Sequence, residues 1–153
     1  MSVRVRSLQA ADSARWRDLF QQYITFYHAP VAGDVIDLTW QRLLAGADGM
    51  AGLVSIDDAD TITGLAVVVF HRSSWAADWY CYLEDLFVDP ACRGQGIGQA
   101  LIEAVYTEAD RRGASRTYWA THTDNATARR LYDHLAKVSP FVQYVRDENG
   151  PTG

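Results

Sequence analysis

The chain has 153 residues, 48% of them hydrophobic, which is enough for one core of ordinary size and too little for two. Its 14 Lys and Arg against 19 Asp and Glu leave a formal net charge of -5, arguing against a general nucleic-acid binder, because neutralising phosphates needs clustered cations. Met1 to Arg15 lacks an apolar leader core, and the longest aliphatic run, Leu65 to Phe70, is far below membrane-spanning length, so a cytoplasmic, non-membrane protein is expected.

Val3 to Arg6 alternates like a short strand, and Trp16, Leu19, Phe20, Tyr23, Ile24 and Tyr27 then recur at helical spacing behind a candidate cap at Asp12. After the breakers Pro30 and Gly33, the residues Ile36, Trp40, Leu43 and Leu44 mark a second helix ended near Gly46 and Gly49. Gly52 to Ile56 and Ile62 to His71 read as a hairpin about an Asp-rich turn. A loop is expected over Ser73 to Asp78, and then a strand from Tyr80 to Val88, stopped by Asp89-Pro90. The helix that follows carries Ile97, Leu101, Ala104, Val105 and Ala109 on one face and ends at Gly113. Arg116 to Thr121 reads as a strand, Asn125 to Leu135 as a helix behind an Asp124-Asn125 cap, and Phe141 to Val145 as a closing strand. The order is β-α-α-β-β-β-α-β-α-β, a mixed α/β fold expected to form one domain over residues 1–149, with 150–153 as a frayed tail.

The most informative local pattern is Arg93-Gly94-Gln95-Gly96-Ile97-Gly98, set between a strand and a helix. Three glycines leave peptide N–H groups unobstructed at the positive end of the helix, an arrangement suited to an anion; a turn that binds nothing is the bland alternative. Two phosphate-binding readings fail on spacing. A dinucleotide fingerprint would need glycine where Leu101 stands, and a P-loop would need a lysine after Gly98.

With Arg93, Gly96 and Gly98 in place, the pattern resembles that of the GNAT superfamily of N-acetyltransferases: Arg or Gln, two residues, Gly, one residue, then Gly or Ala. The resemblance extends through Leu86-Phe87-Val88-Asp89-Pro90 before the turn and Asn125, Ala128 and Leu131-Tyr132 after it, covering most of Tyr80 to Tyr144. It implies a central twisted sheet of about six to seven strands with four helices, and acetyl-CoA as the acyl donor. It also implies that the backbone of Arg93, Gly94, Gln95, Gly96, Ile97, Gly98 and Gln99 holds the coenzyme A pyrophosphate. Leu86, Phe87 and Val88 would pair with the pantetheine arm, and Asn125 would contact the cofactor near the thioester, a role compatible with capping its helix.

Amine acetylation needs a proton removed, an oxyanion stabilised and a leaving thiolate protonated. By resemblance Tyr132 is the proton donor to the departing sulfur, although a core tyrosine would show the same spacing; the Val88 N–H is the candidate oxyanion donor. Glu84 and Asp85 point to opposite faces of a regular strand, so only one can face the acceptor unless the strand bulges. The tract Tyr82-Leu83-Glu84-Asp85-Leu86-Phe87-Val88 is similar to that of polyamine acetyltransferases and of the yeast histone and D-amino-acid acetyltransferases. There the residue matching Glu84 lies near the acceptor amine, as a base through water or as a cation anchor, and Asp85 reads as structural. His71 and His122 are further candidate bases for which a hydrogen-bonding role is the simpler reading. Cys81 and Cys92 read as packing residues in a reducing compartment, and no metal-ligand spacing is present.

After Tyr132 the chain runs Asp133-His134-Leu135-Ala136-Lys137, where many relatives end this helix with a Leu-Gly-Phe turn; this puts the helix exit, not the fold, in question. The leading expectation is direct transfer to a small amine such as a polyamine or amino acid, with Tyr23, Tyr27, Trp40, Trp75 and Trp79 available as pocket walls. Protein lysines, a non-catalytic acyl-CoA-binding domain and an interaction module at Ser73 to Tyr80 are the alternatives. Relatives are commonly dimers, so a second copy of the chain is a candidate partner.

Overall fold

The computed structural model describes residues 3–147, which divide into two compact units between Ala120 and Thr121. The first unit contains β1 (Arg4–Ser7), α1 (Ser13–Phe26), α2 (Gly33–Ala45), β2 (Met50–Ile56), β3 (Ile62–Ser73), β4 (Ala76–Val88), α3 (Ile97–Arg111) and β5 (Ala114–Tyr118). The second contains α4 (Ala126–Leu135). The tail expected at 150–153 lies outside the described residues.

The five strands form one sheet in chain order, antiparallel throughout except where β4 meets β5. A parallel pair needs a crossover, and α3 supplies it. On one face α1 and α2 bury Trp16, Leu19, Phe20, Ile24, Ile36, Trp40 and Leu43 against Leu65, Val67 and Phe87 of β3 and β4. Trp16 stacks on Phe20 at 4.7 Å and meets Trp40 at 5.4 Å, so the aromatic positions of the two helical repeats find one another. On the other face α3 buries Ile97, Leu101, Ile102, Val105 and Ala109. A Cβ at Gly64 would stand 3.1 Å from Leu101, 2.9 Å from the Ser55 hydroxyl and 3.0 Å from the Phe87 carbonyl, so the missing side chain is what lets α3 lie this close to the sheet.

Helix ends follow the glycines: α2 closes on Gly46 at φ 65 and α3 is followed by Gly113 at φ 76, both left-handed. Asp12 behaves differently from expectation. It makes no cap bond to α1; its carboxylate accepts the Gln9 N–H at 2.8 Å and a two-pronged pair from Arg6 at 2.8 and 3.0 Å, closing the 3-10 turn Ala10–Asp12 that precedes the helix. A guanidinium fork outbids a helix amide for the same oxygens.

Three further expectations are corrected. The loop expected over Ser73 to Asp78 is a hairpin in which Ser73 pairs with Ala76, leaving Ser74 and Trp75 as the turn and Trp75 90% exposed at its tip. The strand expected at Arg116 to Thr121 starts and ends earlier, at Ala114–Tyr118, because Ala114 already pairs with Trp79. Among the described residues the sheet has five strands, not six to seven, and residues 141–145 form no strand. An apolar, β-prone stretch becomes a strand only where an unpaired edge meets it, so its pattern alone does not decide the matter.

Candidate active site

β4 is the strand on which the site is built. Its pairing with β3 is regular from Trp79 to Leu83, which lies opposite Val68, and resumes with Asp85 opposite Val67. Glu84 has no partner in that ladder: it is the extra residue of a β-bulge. The two acids are therefore not on opposite faces. Both act electrostatically on Tyr23 of α1 and on Tyr82 of β4, so both carboxylates lie within reach of the sheet face that carries α1.

The environments of the two acids differ. Glu84 is exposed, whereas Asp85 is half-buried and accepts a hydrogen bond from the Tyr23 hydroxyl. Burial pushes the Asp85 carboxyl up to about 6, with the Glu84 charge adding to the rise and the Tyr23 bond opposing it. Tyr23 is itself driven upward, first by burial and then by both carboxylates. Its ring is gripped by Phe20, Tyr27 and Phe87 at 5.8, 5.1 and 5.7 Å.

Beyond the acids the same face is lined with tyrosine. Tyr82 lies 4.8 Å from Tyr118, its register partner on β5, and Tyr80 and His71 complete the group. His71 bonds the Arg72 carbonyl at 2.8 Å through Nδ1 and the Tyr118 hydroxyl at 2.6 Å through Nε2. The carbonyl can only accept, so Nδ1 carries the proton, and in the neutral ring Nε2 accepts from Tyr118. His71 is thus a hydrogen-bonding residue that fixes a wall of the face. Arg116 sits over Tyr80 and Tyr118 at 5.5 and 5.4 Å.

From Tyr82 onward β4 and β5 part: their ladder ends at Tyr82 with Tyr118. Leu86, Phe87 and Val88 keep β3 on one side, through Ala66, Leu65 and Gly64, and lack ladder bonds to β5 on the other. An open strand edge is what an amide-bearing arm can pair with. Phe87 is buried in the core, so its contribution at that edge is its backbone.

β4 leads directly into the glycine turn. Asp89 ends the strand, accepts from the Ala91 N–H at 3.0 Å and pairs with Arg15 of α1 at 2.6 Å. Gly94 and Gly96 have φ 80 and 77, which only glycine adopts without strain, and a Cβ at either would meet no protein atom. Gly96 is the N-cap of α3 and no side chain caps the helix, so the amides at the start of α3 remain available to an anion. The side chains around the turn are committed elsewhere. Arg93 donates to the Val88 carbonyl at 3.4 Å and lies 5.6 Å from both Phe26 and Phe87; Ile97 is buried; Gln99 bonds Glu103 at 3.0 Å. Gln95 lines a hollow with Val3, Ile56, Asp57, Asp58 and Thr63. The open cradle and uncapped amides suit a pyrophosphate held by backbone, and the strand edge suits a pantetheine arm.

In the second unit Asn125 is the N-cap of α4. Its side chain accepts from Ala128 N–H at 3.4 Å and donates to Thr121 at 3.2 Å. Tyr132 lies seven residues on, two helical turns along the same stripe, and is half-buried. The helix leaves through Ala136 in extended conformation at φ -156, which is how this chain dispenses with a glycine turn there. Cys81 is buried, its thiol pushed up to about 11 by burial, and both cysteines are free. Among the described residues no three His, Cys, Asp or Glu are grouped to hold a metal, and no helix is long and apolar enough to cross a membrane.

Comparison with known proteins accounts for this architecture. The profile of the Acetyltransferase (GNAT) family matches residues 13–136, and the chain belongs to that family of N-acetyltransferases. It is 29% identical over 146 residues to the D-amino-acid N-acetyltransferase HPA3 of Saccharomyces cerevisiae, covering 95% of this chain and 91% of that one. A 74-residue stretch is 36% identical to a thialysine N-epsilon-acetyltransferase of Bos taurus, covering 48% of this chain and 43% of that protein. Among solved structures, AAC(6')-Iy in complex with the bisubstrate analogue CoA-S-monomethyl-acetylneamine superposes with TM-score 0.82 at 20% identity, covering 97% of this chain and 99% of that one. A ribosomal-protein-alanine N-acetyltransferase from Brucella melitensis biovar Abortus 2308 superposes with TM-score 0.80 at 20% identity, covering 95% and 99%. At these identities the structural likenesses show the fold alone.

Proposed function

We propose that this chain transfers the acetyl group of acetyl-CoA directly to the primary amine of a small cationic acceptor, a polyamine or an amino acid. The observation that carries this reading is the continuity of β4: a bulged pair of carboxylates on a tyrosine-lined face, then an open strand edge, then a glycine cradle at a helix start. Acetyl-CoA, when bound, would supply an activated acyl group, held by the amides of Arg93 to Gln99 and by Leu86, Phe87 and Val88. Glu84 offers an exposed carboxylate to the acceptor ammonium, while Tyr82 and Tyr118 offer ring faces to the same charge. The Val88 N–H is assigned the oxyanion, Tyr132 the proton donor's role and Asn125 a contact to the cofactor beside its capping bond. The acid-rich face favours a cation over an anion, in keeping with the negative charge of the whole chain. A family match running from residue 13 to 136 supports one acetyltransferase domain, and a cytoplasmic enzyme fits two free thiols.

A thiol-release assay with acetyl-CoA tests the reading against polyamines, D- and L-amino acids, aminoglycosides and lysine peptides. Acceptor-dependent release with at least one small amine is expected. Tight acetyl-CoA binding with no release for any acceptor would instead support a non-catalytic acyl-CoA-binding domain.

A further inference from the structure

The bulge sets two carboxylates side by side, yet a single ammonium needs only one counter-charge, and the two are held in different ways. Glu84 is exposed and free to swing, as suits an anchor. Asp85 is half-buried, lies opposite Val67, and is aimed by a tyrosine that three aromatic rings immobilise. The groups facing it are Tyr23 and, behind it, Tyr27 from α1, Glu84 and Tyr82 from β4, and the apolar Val67 from β3. The charged and hydrogen-bonding groups that act on Asp85 are Tyr23 and Glu84, and neither is a cation. A structural aspartate in a folded core is ordinarily paired, as Asp12 is with Arg6 and Asp89 with Arg15.

Resting on the amine-transfer reading above, we propose that Asp85 is the base that takes the acceptor's proton, that Glu84 anchors the acceptor ammonium, and that Tyr23 is the positioning residue that holds the Asp85 carboxylate in line. In this step one N–H bond of the ammonium breaks, its proton binds a carboxylate oxygen of Asp85, and the freed nitrogen lone pair is left to attack the thioester carbonyl of acetyl-CoA. The carboxylic acid so formed returns its proton to water. Burial supports the assignment, because a carboxyl raised to about 6 is a better match to an amine than an exposed one and is still mostly ionised at neutral pH. Sequence pattern assigns Asp85 a structural part; the bulge and its tyrosine partner reverse that.

The test separates the two acids kinetically and reads the carboxyl directly. With acetyl-CoA saturating, Asp85→Asn should lower kcat about 100-fold or more, whereas Glu84→Gln should act mainly by raising the acceptor KM. The rate should fall as pH drops through the Asp85 midpoint. Tyr23→Phe removes the bond that lowers that midpoint and should shift the acid limb to higher pH, a change that mere loss of packing would not produce. In the unliganded protein, carbon-detected NMR should show a carboxyl titrating near 6 that is missing in Asp85→Asn and moved upward in Tyr23→Phe. Retention of kcat within about threefold in a folded Asp85→Asn variant, or an unmoved acid limb and carboxyl midpoint in Tyr23→Phe, would overturn the assignment while leaving amine transfer intact. Absence of acceptor-dependent release by the unmutated enzyme would overturn both.

Discussion

Gly96→Val isolates the glycine cradle from the rest of the fold. In the free protein the substituted Cβ would meet no neighbour within 4 Å, so the cost is confined to the backbone, held at φ 77. A branched residue in the left-handed region costs about 2 kcal/mol. In a chain of this length that lowers the melting temperature by roughly 4 to 8 °C, leaving a folded protein at 25 °C. On the binding side, the side chain projects into the space assigned to the pyrophosphate. Loss of two charge-assisted hydrogen bonds there amounts to about 3 kcal/mol, near a hundredfold in affinity. Titration calorimetry with acetyl-CoA, run beside a thermal melt and a Gly96→Ala control of intermediate effect, reads both quantities. Unchanged affinity in a folded Gly96→Val protein would show that the cofactor does not lie against this turn, whatever the melt reports.

Tyr132→Phe should keep the affinity for acetyl-CoA while lowering turnover about 100-fold, measured by thiol release at saturating substrates, because it removes a proton and little volume. Asp12→Asn should destabilise the fold by about 2 kcal/mol in urea denaturation, since it leaves the Arg6 fork facing a weaker acceptor. The Asp12 carboxyl is held below its ordinary value, chiefly by the Arg6 hydrogen bonds, so this stability is present above the unfolded carboxyl range and is lost as pH falls through the depressed midpoint; the variant and the parent should converge in strong acid. Cys81, buried and with its thiol pushed up to about 11, should resist iodoacetamide at pH 8 until the protein unfolds, as followed by intact mass.

The helices of the first unit were plain in the sequence because their apolar residues repeat at helical spacing and glycines stand where left-handed ends are needed, at Gly46 and Gly113. The turn before α3 was equally plain, since Gly94 and Gly96 stand where the backbone is left-handed, at φ 80 and 77. Tertiary partners decide the rest. Nothing in Phe141 to Val145 states whether an edge is available to it, and among the described residues that stretch forms no strand. Ser73-Ser74-Trp75-Ala76 lacks the Asn or Gly that ordinarily signals a two-residue hairpin turn, so the longer loop was the natural expectation. Asp12 could not be assigned a partner before Arg6 was placed beside it. The bulge did leave a trace: Cys81 and Leu83 are odd-numbered apolar positions, whereas Leu86 and Val88 are even-numbered, and one face can hold both pairs only if a residue is inserted between them.

That insertion behaves like a silent phase change in the strand. Removing Glu84 would restore strict alternation from Tyr80 to Val88 and return every other side chain to the face it already occupies. A strand lacking this residue would therefore satisfy the core equally well, and in that sense the fold does not need Glu84 at all. What the shorter strand would lose is the break in the β3 ladder between Leu83 and Asp85, and with it the pairing of an exposed acid with a sheltered one. Homologous chains that differ by one residue at this point can thus share an unchanged scaffold while differing in whether they present one carboxylate or two.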